Sequence, residues 1–236
     1  MKLQRKSNGL TALAIAGVTL MAMSIETPVA SADVEIWNTP SGSVDSSHDP
    51  VSAQATFTIS SGEIVITLSN LQTGIHDAGQ LVSELSFTTV NANNLSSSVL
   101  ASSSAQLVTV GKSGYSLGST TSTGWGYAIG HLSDLVNGDS PSHTIIGPST
   151  DNPNSSITKN HNPFLYESAT FTISGAGITS NTTIASATFS FGTSAGDDVR
   201  GTQVVTTTTP EPSTIAIAGL GALGFIGYGL RRRLKK

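Results

Sequence analysis

The sequence predicts an all-β domain with the architecture of an antiparallel, jelly-roll-like β-sandwich. The first observation is that apolar residues alternate with Ser and Thr in many short runs, which is the two-residue period of a half-buried β-strand. The second is that Gly, Asn and Ser separate these runs, as turn residues do between neighbouring antiparallel strands. About ten such strands in a segment of ordinary domain size favour a single two-layered core.

The clearest element is a hairpin in the first third of the chain. Phe57 and Ile59 alternate with Thr side chains, Ser61-Gly62 forms the turn, and residues 64–68 repeat the alternation. Further strands are predicted at residues 34–37, 81–89, 106–110, 125–129, 144–146, 169–174, 186–191 and 203–207. One helix is predicted at residues 131–136, because Asn137-Gly138 follows it as a stop signal.

The N-terminus has the three parts of a secretory signal peptide. Three basic residues among the first six precede the uncharged, largely apolar run 10–23. Small residues at Ala30 and Ala32 then suit the pocket of signal peptidase, so cleavage is expected after Ala32. Residues 1–32 are therefore predicted to be removed on export.

The C-terminus combines a proline box, an apolar run and a basic cluster. The box is Pro210-Glu211-Pro212, and residues 214–230 after it carry no charge. At the helical rise per residue this run reaches roughly 26 Å, close to the lower limit for a transmembrane helix. The basic cluster that ends the chain consists of Arg231, Arg232, Arg233, Lys235 and Lys236. It is expected to stay in the cytoplasm, which places the rest of the chain across the membrane.

This order of box, span and basic cluster, over residues 210–236, resembles the PEP-CTERM sorting tail of Gram-negative envelope proteins. The resemblance implies an exosortase as processing partner, which would read Pro210, Glu211 and Pro212. It implies a tether in the inner membrane with the domain in the periplasm, followed by transfer to the cell surface or release. Such proteins are associated with the envelope and with exopolysaccharide.

Between the two ends lies a strongly acidic segment. Residues 33–205 are predicted as the β-sandwich domain and residues 206–209 as a short Thr stalk. Residues 33–209 hold 13 acidic residues against three basic ones, so their net charge is near −10. This charge disfavours nucleic acid as a partner and makes divalent cations plausible ones. The chain has no cysteine, which excludes disulfides and thiolate metal sites.

No catalytic residue is predicted, and an enzyme is not expected. Ser116 lies in a G-x-S-x-G pattern, but the Ser/Thr/Gly-rich stretch after it does not read as the helix that a nucleophile elbow needs. The five histidines form no zinc-type pair, so zinc is not expected. No cofactor is expected apart from the option of a structural Ca²⁺ held by carboxylates from separate turns. The acidic groups that offer it are Asp45/Asp49, Asp134/Asp139, Asp151 and Asp197-Asp198.

An alternative function rests on two aromatic residues. Trp125 and Tyr127 alternate in a predicted strand, and their rings are of the kind that stacks on sugars. They make a lectin-like, carbohydrate-binding module a second hypothesis. A carbohydrate-active enzyme is a third, although no paired carboxylates support it. The leading interpretation remains a non-enzymatic, exported envelope or matrix protein.

Overall fold

The structure of the protein is a computed structural model that describes residues 32–92, 95–112, 114–134, 143–193 and 197–204. Within these residues, 13 strands are joined in one hydrogen-bonded sheet. The strands are β1 (Asp33–Asn38), β2 (Ala53–Ser60), β3 (Glu63–Asn70), β4 (Val82–Val90), β5 (Val99–Gly111), β6 (Gly114–Thr121), β7 (Gly126–Ala128), β8 (His131–Ser133), β9 (Ile145–Ile146), β10 (Phe164–Ser174), β11 (Thr183–Phe191), β12 (Asp198–Arg200) and β13 (Thr202–Val204). Helical structure is limited to α1 (Ser155–Thr158) and two 3-10 turns at Ala78–Gln80 and Leu95–Ser97 in this part of the chain.

The sheet is mixed but mostly antiparallel. Its main path runs β12-β11-β4-β9-β10-β3-β2-β1-β13, and only the β9–β10 pair is parallel among the described pairs. β5 joins the path at β10 and carries β6, while β8 joins at β4 and carries β7. The prediction of a mostly antiparallel all-β domain is therefore confirmed.

The sheet folds back on itself around the core. Along the path, β2 and β4 are four strand spacings apart, which in a flat sheet would be about 19 Å. The rings of Phe57 in β2 and Phe87 in β4 nevertheless meet edge to face, with their centroids 5.3 Å apart. Phe171 of β10 and Phe189 of β11 lie in the same buried cluster. Both ends of the sheet thus contribute to one hydrophobic core.

The β2–β3 hairpin forms as the sequence predicts. Buried and half-buried residues alternate along both strands, so each apolar side chain of the alternating set enters the core. The strands pair from Ala53 with Asn70 to Ser60 with Glu63. Gly62 closes the turn at φ 86°, a backbone conformation that a residue with a Cβ adopts only at a cost.

The predicted helix at residues 131–136 is wrong over the part that the structure describes. His131–Ser133 form the strand β8, which pairs with both β4 and β7. The cause is the turn before it, where Ile129 and Gly130 both have positive φ and reverse the chain into a hairpin. Leu132 then enters the core from a strand.

Two further differences concern β5 and β6. β5 extends well beyond the predicted residues 106–110, and β6 occupies residues for which no strand was predicted. Ser116 pairs with Thr109 inside this strand, where no nucleophile elbow forms.

The predicted terminal segments lie almost entirely outside the described residues. These segments are the signal peptide, the Thr stalk and the tail at 210–236, including its span and basic cluster. Ala32 is described, and it is exposed immediately before β1. Among the described residues, none of the helices has the length and apolar character needed to cross a membrane.

Candidate functional site

The site begins in the loop between β1 and β2. The Asp45 carboxylate oxygen Oδ1 accepts hydrogen bonds from the backbone N–H groups of Ser47, at 2.9 Å, and Asp49, at 2.8 Å. The Asp45 N–H in turn donates to the Asp49 carbonyl at 2.9 Å. Asp side chains commonly close turns in this way. The loop therefore holds the Asp49 side chain at a defined place.

A second loop, between β3 and β4, supplies a histidine and another carboxylate. Asp77 precedes the 3-10 turn Ala78–Gln80, and its Oδ1 accepts a hydrogen bond from the Gly79 N–H at 2.7 Å. This capping bond leaves the other carboxylate oxygen, Oδ2, facing the neighbouring His76.

Gln80 ties the two loops together. Its side chain is buried, its Oε1 accepts from the His76 N–H at 2.8 Å, and its Nε2 donates to the Pro50 carbonyl at 3.0 Å. Because Pro50 follows Asp49 directly, one buried amide fixes the distance between the two loops.

Asp49, His76 and Asp77 meet at this point, and we call them the Asp–His cluster. His76 Nε2 lies 3.4 Å from Asp49 Oδ2 and 3.5 Å from Asp77 Oδ2. One ligating atom from each of the three residues lies within 4.8 Å of the other two. The His76 side chain is 42% exposed, so the cluster opens to solvent. The cluster offers one imidazole nitrogen and two carboxylate groups, which are common metal ligands in proteins.

The carboxylate of Asp45 lies beside the cluster. Asp45 is only 7% exposed, and its Oδ2 is buried without a hydrogen-bond partner. A Cβ placed on Gly79 would lie 2.5 Å from Asp45 Oδ2 and 3.0 Å from Asp77 Oδ1, so the two carboxylates converge on this glycine. This close approach explains why residue 79 is glycine.

Within the described residues, the acidic charge of the region is not paired with lysine or arginine. In the described part of the chain, no Lys or Arg side chain forms an ion pair with Asp45, Asp49 or Asp77. A further acid, Asp197, lies nearby and accepts a hydrogen bond from the Ser46 hydroxyl at 2.8 Å. The region therefore concentrates negative charge around a buried oxygen that has no partner.

The aromatic residues proposed to bind sugars lie elsewhere. Trp125 is 4% exposed, its ring packs at 5.2 Å from that of Phe171, and its Nε1 donates to the His143 carbonyl. Tyr127 is half-buried, its hydroxyl accepts from the Gly130 N–H at 3.2 Å, and burial raises its pKa. Trp125 therefore has no exposed ring face for a sugar, and the two residues do not form a stacking platform.

Two of the other acidic candidates, Asp134 and Asp198, have structural partners. Asp134 accepts from the His143 N–H at 2.7 Å, and Asp198 accepts from the Ser190 hydroxyl at 2.5 Å. Asp151 lies on an exposed loop, and Asp139 is outside the described residues. Among those acidic groups that the structure describes, Asp45 and Asp49 therefore contribute to the cluster or its border, with Asp197 close by.

Sequence reasoning missed His76, Asp77 and Gln80. A search for paired histidines does not find a site in which one histidine meets two carboxylates. The predicted β2–β3 hairpin was a usable signal, because antiparallel pairing brings the loop before β2 next to the loop after β3.

Comparison with protein families gives a match at the C-terminal tail. Residues 208–233 match the family described as the PEP-CTERM protein-sorting motif. The chain carries a PEP-CTERM sorting motif. Searches of curated proteins and of solved structures find no significant match. The predicted box Pro210-Glu211-Pro212 and the arginines at 231–233 lie within the matched residues, whereas Lys235 and Lys236 follow them.

The sorting motif implies that the protein is exported, associated with the cell envelope and processed by an exosortase. This agrees with the resemblance found in the sequence. The motif covers only the tail, so it carries no information about the ligand of the β-rich domain.

Proposed function

We propose that the protein is a non-enzymatic component of the cell envelope or extracellular matrix, built on a jelly-roll-like β-sandwich. In this proposal signal peptidase removes residues 1–32, and the tail holds the domain at the outer side of the inner membrane. An exosortase then reads Pro210-Glu211-Pro212 and transfers or releases the domain into surroundings that contain exopolysaccharide. The observation that carries the proposal is the sorting motif at residues 208–233.

Two cavities among the described residues bear on the non-enzymatic part of the proposal. A cavity of about 450 Å³ between the β1–β2 and β3–β4 loops is lined by neutral residues such as Thr39, Ser43 and Gln72. A second cavity of about 450 Å³ has Lys112 as its only charged lining residue. Neither offers the pair of acid and base groups that hydrolytic catalysis uses.

The composition of the box supports its role as a recognition element. Two prolines bias the backbone to an extended form, which is the form that proteases and transpeptidases read. Glu211 gains nothing from burial in a bilayer, so an anchoring role does not explain it. It is also the only charged residue between Arg200 and Arg231.

The test is the double variant Pro210→Ala with Glu211→Ala, expressed in a host that carries the exosortase. We expect export and folding to continue while removal of the tail stops, so that the full-length form accumulates in the inner membrane. Immunoblots of membrane and extracellular fractions measure the two forms.

A matched control changes a proline and an acid in a surface loop, with Asp151→Ala and Pro153→Ala. It should be processed like the wild type. If the Pro210/Glu211 variant is also processed and released normally, the tail acts only as an anchor and the sorting proposal fails.

A further inference from the structure

We propose that the Asp–His cluster binds one divalent metal cation through Asp49 Oδ2, His76 Nε2 and Asp77 Oδ2. The cation is of the class that accepts an imidazole nitrogen together with carboxylate oxygens, for which Zn²⁺ is the probe. The remaining coordination positions face solvent and are open to water, because His76 is 42% exposed.

The distances between the ligand atoms fit such an ion. Zinc bonds of 2.0–2.1 Å in tetrahedral geometry place neighbouring ligand atoms about 3.3 Å apart. The two separations that involve His76 Nε2 are 3.4 and 3.5 Å. All three ligand atoms lie within 4.8 Å of one another, so one ion can contact them together.

Asp45 gives independent support for a bound cation. Its Oδ2 is buried without a partner, and the carboxylate points toward Gly79 and the Asp77 carboxylate. A buried carboxylate oxygen without compensation is costly, and a nearby cation lowers that cost. No lysine or arginine in the described part of the chain pairs with this carboxylate.

The ligands are held in place before any ion arrives. The Asp77 carboxylate is oriented by its bond to the Gly79 N–H, and Gln80 bonds both to His76 and to the residue after Asp49. Outer contacts of this kind orient metal ligands and raise affinity. Binding therefore requires little rearrangement of the loops.

The nitrogen ligand distinguishes this proposal from a calcium site. Calcium takes six to eight oxygen ligands, whereas imidazole suits zinc and related first-row ions. We therefore expect Zn²⁺ to bind more tightly than Ca²⁺, even though the surroundings are acidic.

The experiment is calorimetric titration of the full chain, purified in detergent and stripped of metal by a chelator. Wild type should bind one Zn²⁺ per chain with an affinity well above that for Ca²⁺. His76→Gln and Asp49→Asn should each weaken Zn²⁺ binding at least about tenfold, because each removes a direct ligand. Asp151→Asn, an exposed acid outside the cluster, should bind like wild type.

Two outcomes would overturn the proposal. The first is equal Zn²⁺ affinity in the wild type and both ligand variants. The second is a response to Ca²⁺ with none to Zn²⁺. If a variant does not fold, the proposal is tested on wild type alone. Co²⁺ bound to the wild type should give the absorption bands of a site with nitrogen and oxygen ligands, and Zn²⁺ should displace it. Absence of these bands would also count against the site.

Discussion

The hairpins β2–β3 and β5–β6 are both antiparallel and rich in Ser and Thr, but they contribute to the domain differently. Along β2 and β3 every second residue is buried, and the two strands pair without a shift in register. Along β5 and β6 most residues are exposed or half-exposed, and the register shifts between Gln106 and Val108. Leu117 in β6 is 54% exposed.

The difference arises from what lies on each face. β2 and β3 sit inside the sheet path, between β1 and β10, and one face of the pair covers the core. β6 pairs only with β5 among the described strands, so it has little to pack against. The β5–β6 hairpin is buried mainly near its turn, where Val108 and Val110 join a second, smaller apolar cluster. The two Ser/Thr-rich hairpins are therefore expected to stabilise the domain unequally, because burial contributes most of the free energy.

The largest effect is expected from Phe57→Ala in β2. Phe57 is fully buried and packs against Phe87, so truncation should leave a cavity and lower the free energy of unfolding by about 3–5 kcal/mol. Urea unfolding followed by tryptophan fluorescence measures this, because both tryptophans, Trp37 and Trp125, are buried.

The matched change in the other hairpin is Leu117→Ala. Since this side chain is exposed, we expect the free energy of unfolding to change by less than about 0.5 kcal/mol. Similar losses of the free energy of unfolding in the two variants would show that the two hairpins stabilise the domain equally.

An effect smaller than that of Phe57→Ala, but larger than that of Leu117→Ala, is expected beside the first hairpin, at Glu35 of β1. Glu35 is buried and pairs in register with Phe57. Its Oε1 accepts from the Ile184 N–H and its Oε2 accepts from Gln203 Nε2, each at 2.9 Å. These bonds join β1 to β11 and to β13. Glu35→Ala leaves the Ile184 N–H buried without an acceptor, at a cost of about 1–3 kcal/mol.

The conservative variant Glu35→Gln tests the cause of that loss. Its amide oxygen can still accept from Ile184, so the loss should be smaller than in Glu35→Ala. Equal losses would mean that the carboxylate charge, and not the hydrogen bond, matters at this position. Both variants are compared in the same urea unfolding measurement.

The fold was predictable where one face of a strand is buried. Phe57, Ile59 and residues 64–68 alternate because each second side chain enters the core, and the hairpin they predict is confirmed. β6 carries no such pattern, since neither face is buried over most of its length. The strand β8 was mistaken for a helix because its three residues are too few to show a hydrophobic period. The chain forms a hairpin there because Ile129 and Gly130 have positive φ, and the sequence does not reveal these backbone angles.

The candidate site was predictable only in part. Asp45 and Asp49 stand out as neighbouring acids in the sequence, but their partners His76 and Asp77 come from the other side of the β2–β3 hairpin. Nothing in the local sequence marks Gln80 as the residue that joins the loops, because its role depends on burial and on a hydrogen bond to the Pro50 carbonyl, 30 positions away. Such contacts follow from tertiary structure and not from a motif.

A loss smaller than that of Glu35→Ala is expected from Tyr115→Phe, which tests how the β5–β6 hairpin is anchored. Tyr115 packs edge to face against Tyr166 of β10, and its hydroxyl donates to the buried Gly147 carbonyl at 2.8 Å. Loss of this bond should lower the free energy of unfolding by about 1 kcal/mol at pH 7. Urea unfolding at that pH measures the difference.

The same variant should change the response to alkaline pH. Burial raises the pKa of Tyr115 above its ordinary value of 10.0, and the nearby Tyr166 and Glu167 add to the rise. The unfolded chain therefore loses this proton first, so the stabilising contribution of Tyr115 is complete below pH 10 and is lost as the pH rises further. The difference in the free energy of unfolding between wild type and Tyr115→Phe should narrow as the pH rises above 10, while Leu117→Ala keeps the wild-type pH dependence. If the stability curves of wild type and Tyr115→Phe stay parallel over this range, the hydroxyl is not the group that anchors the hairpin.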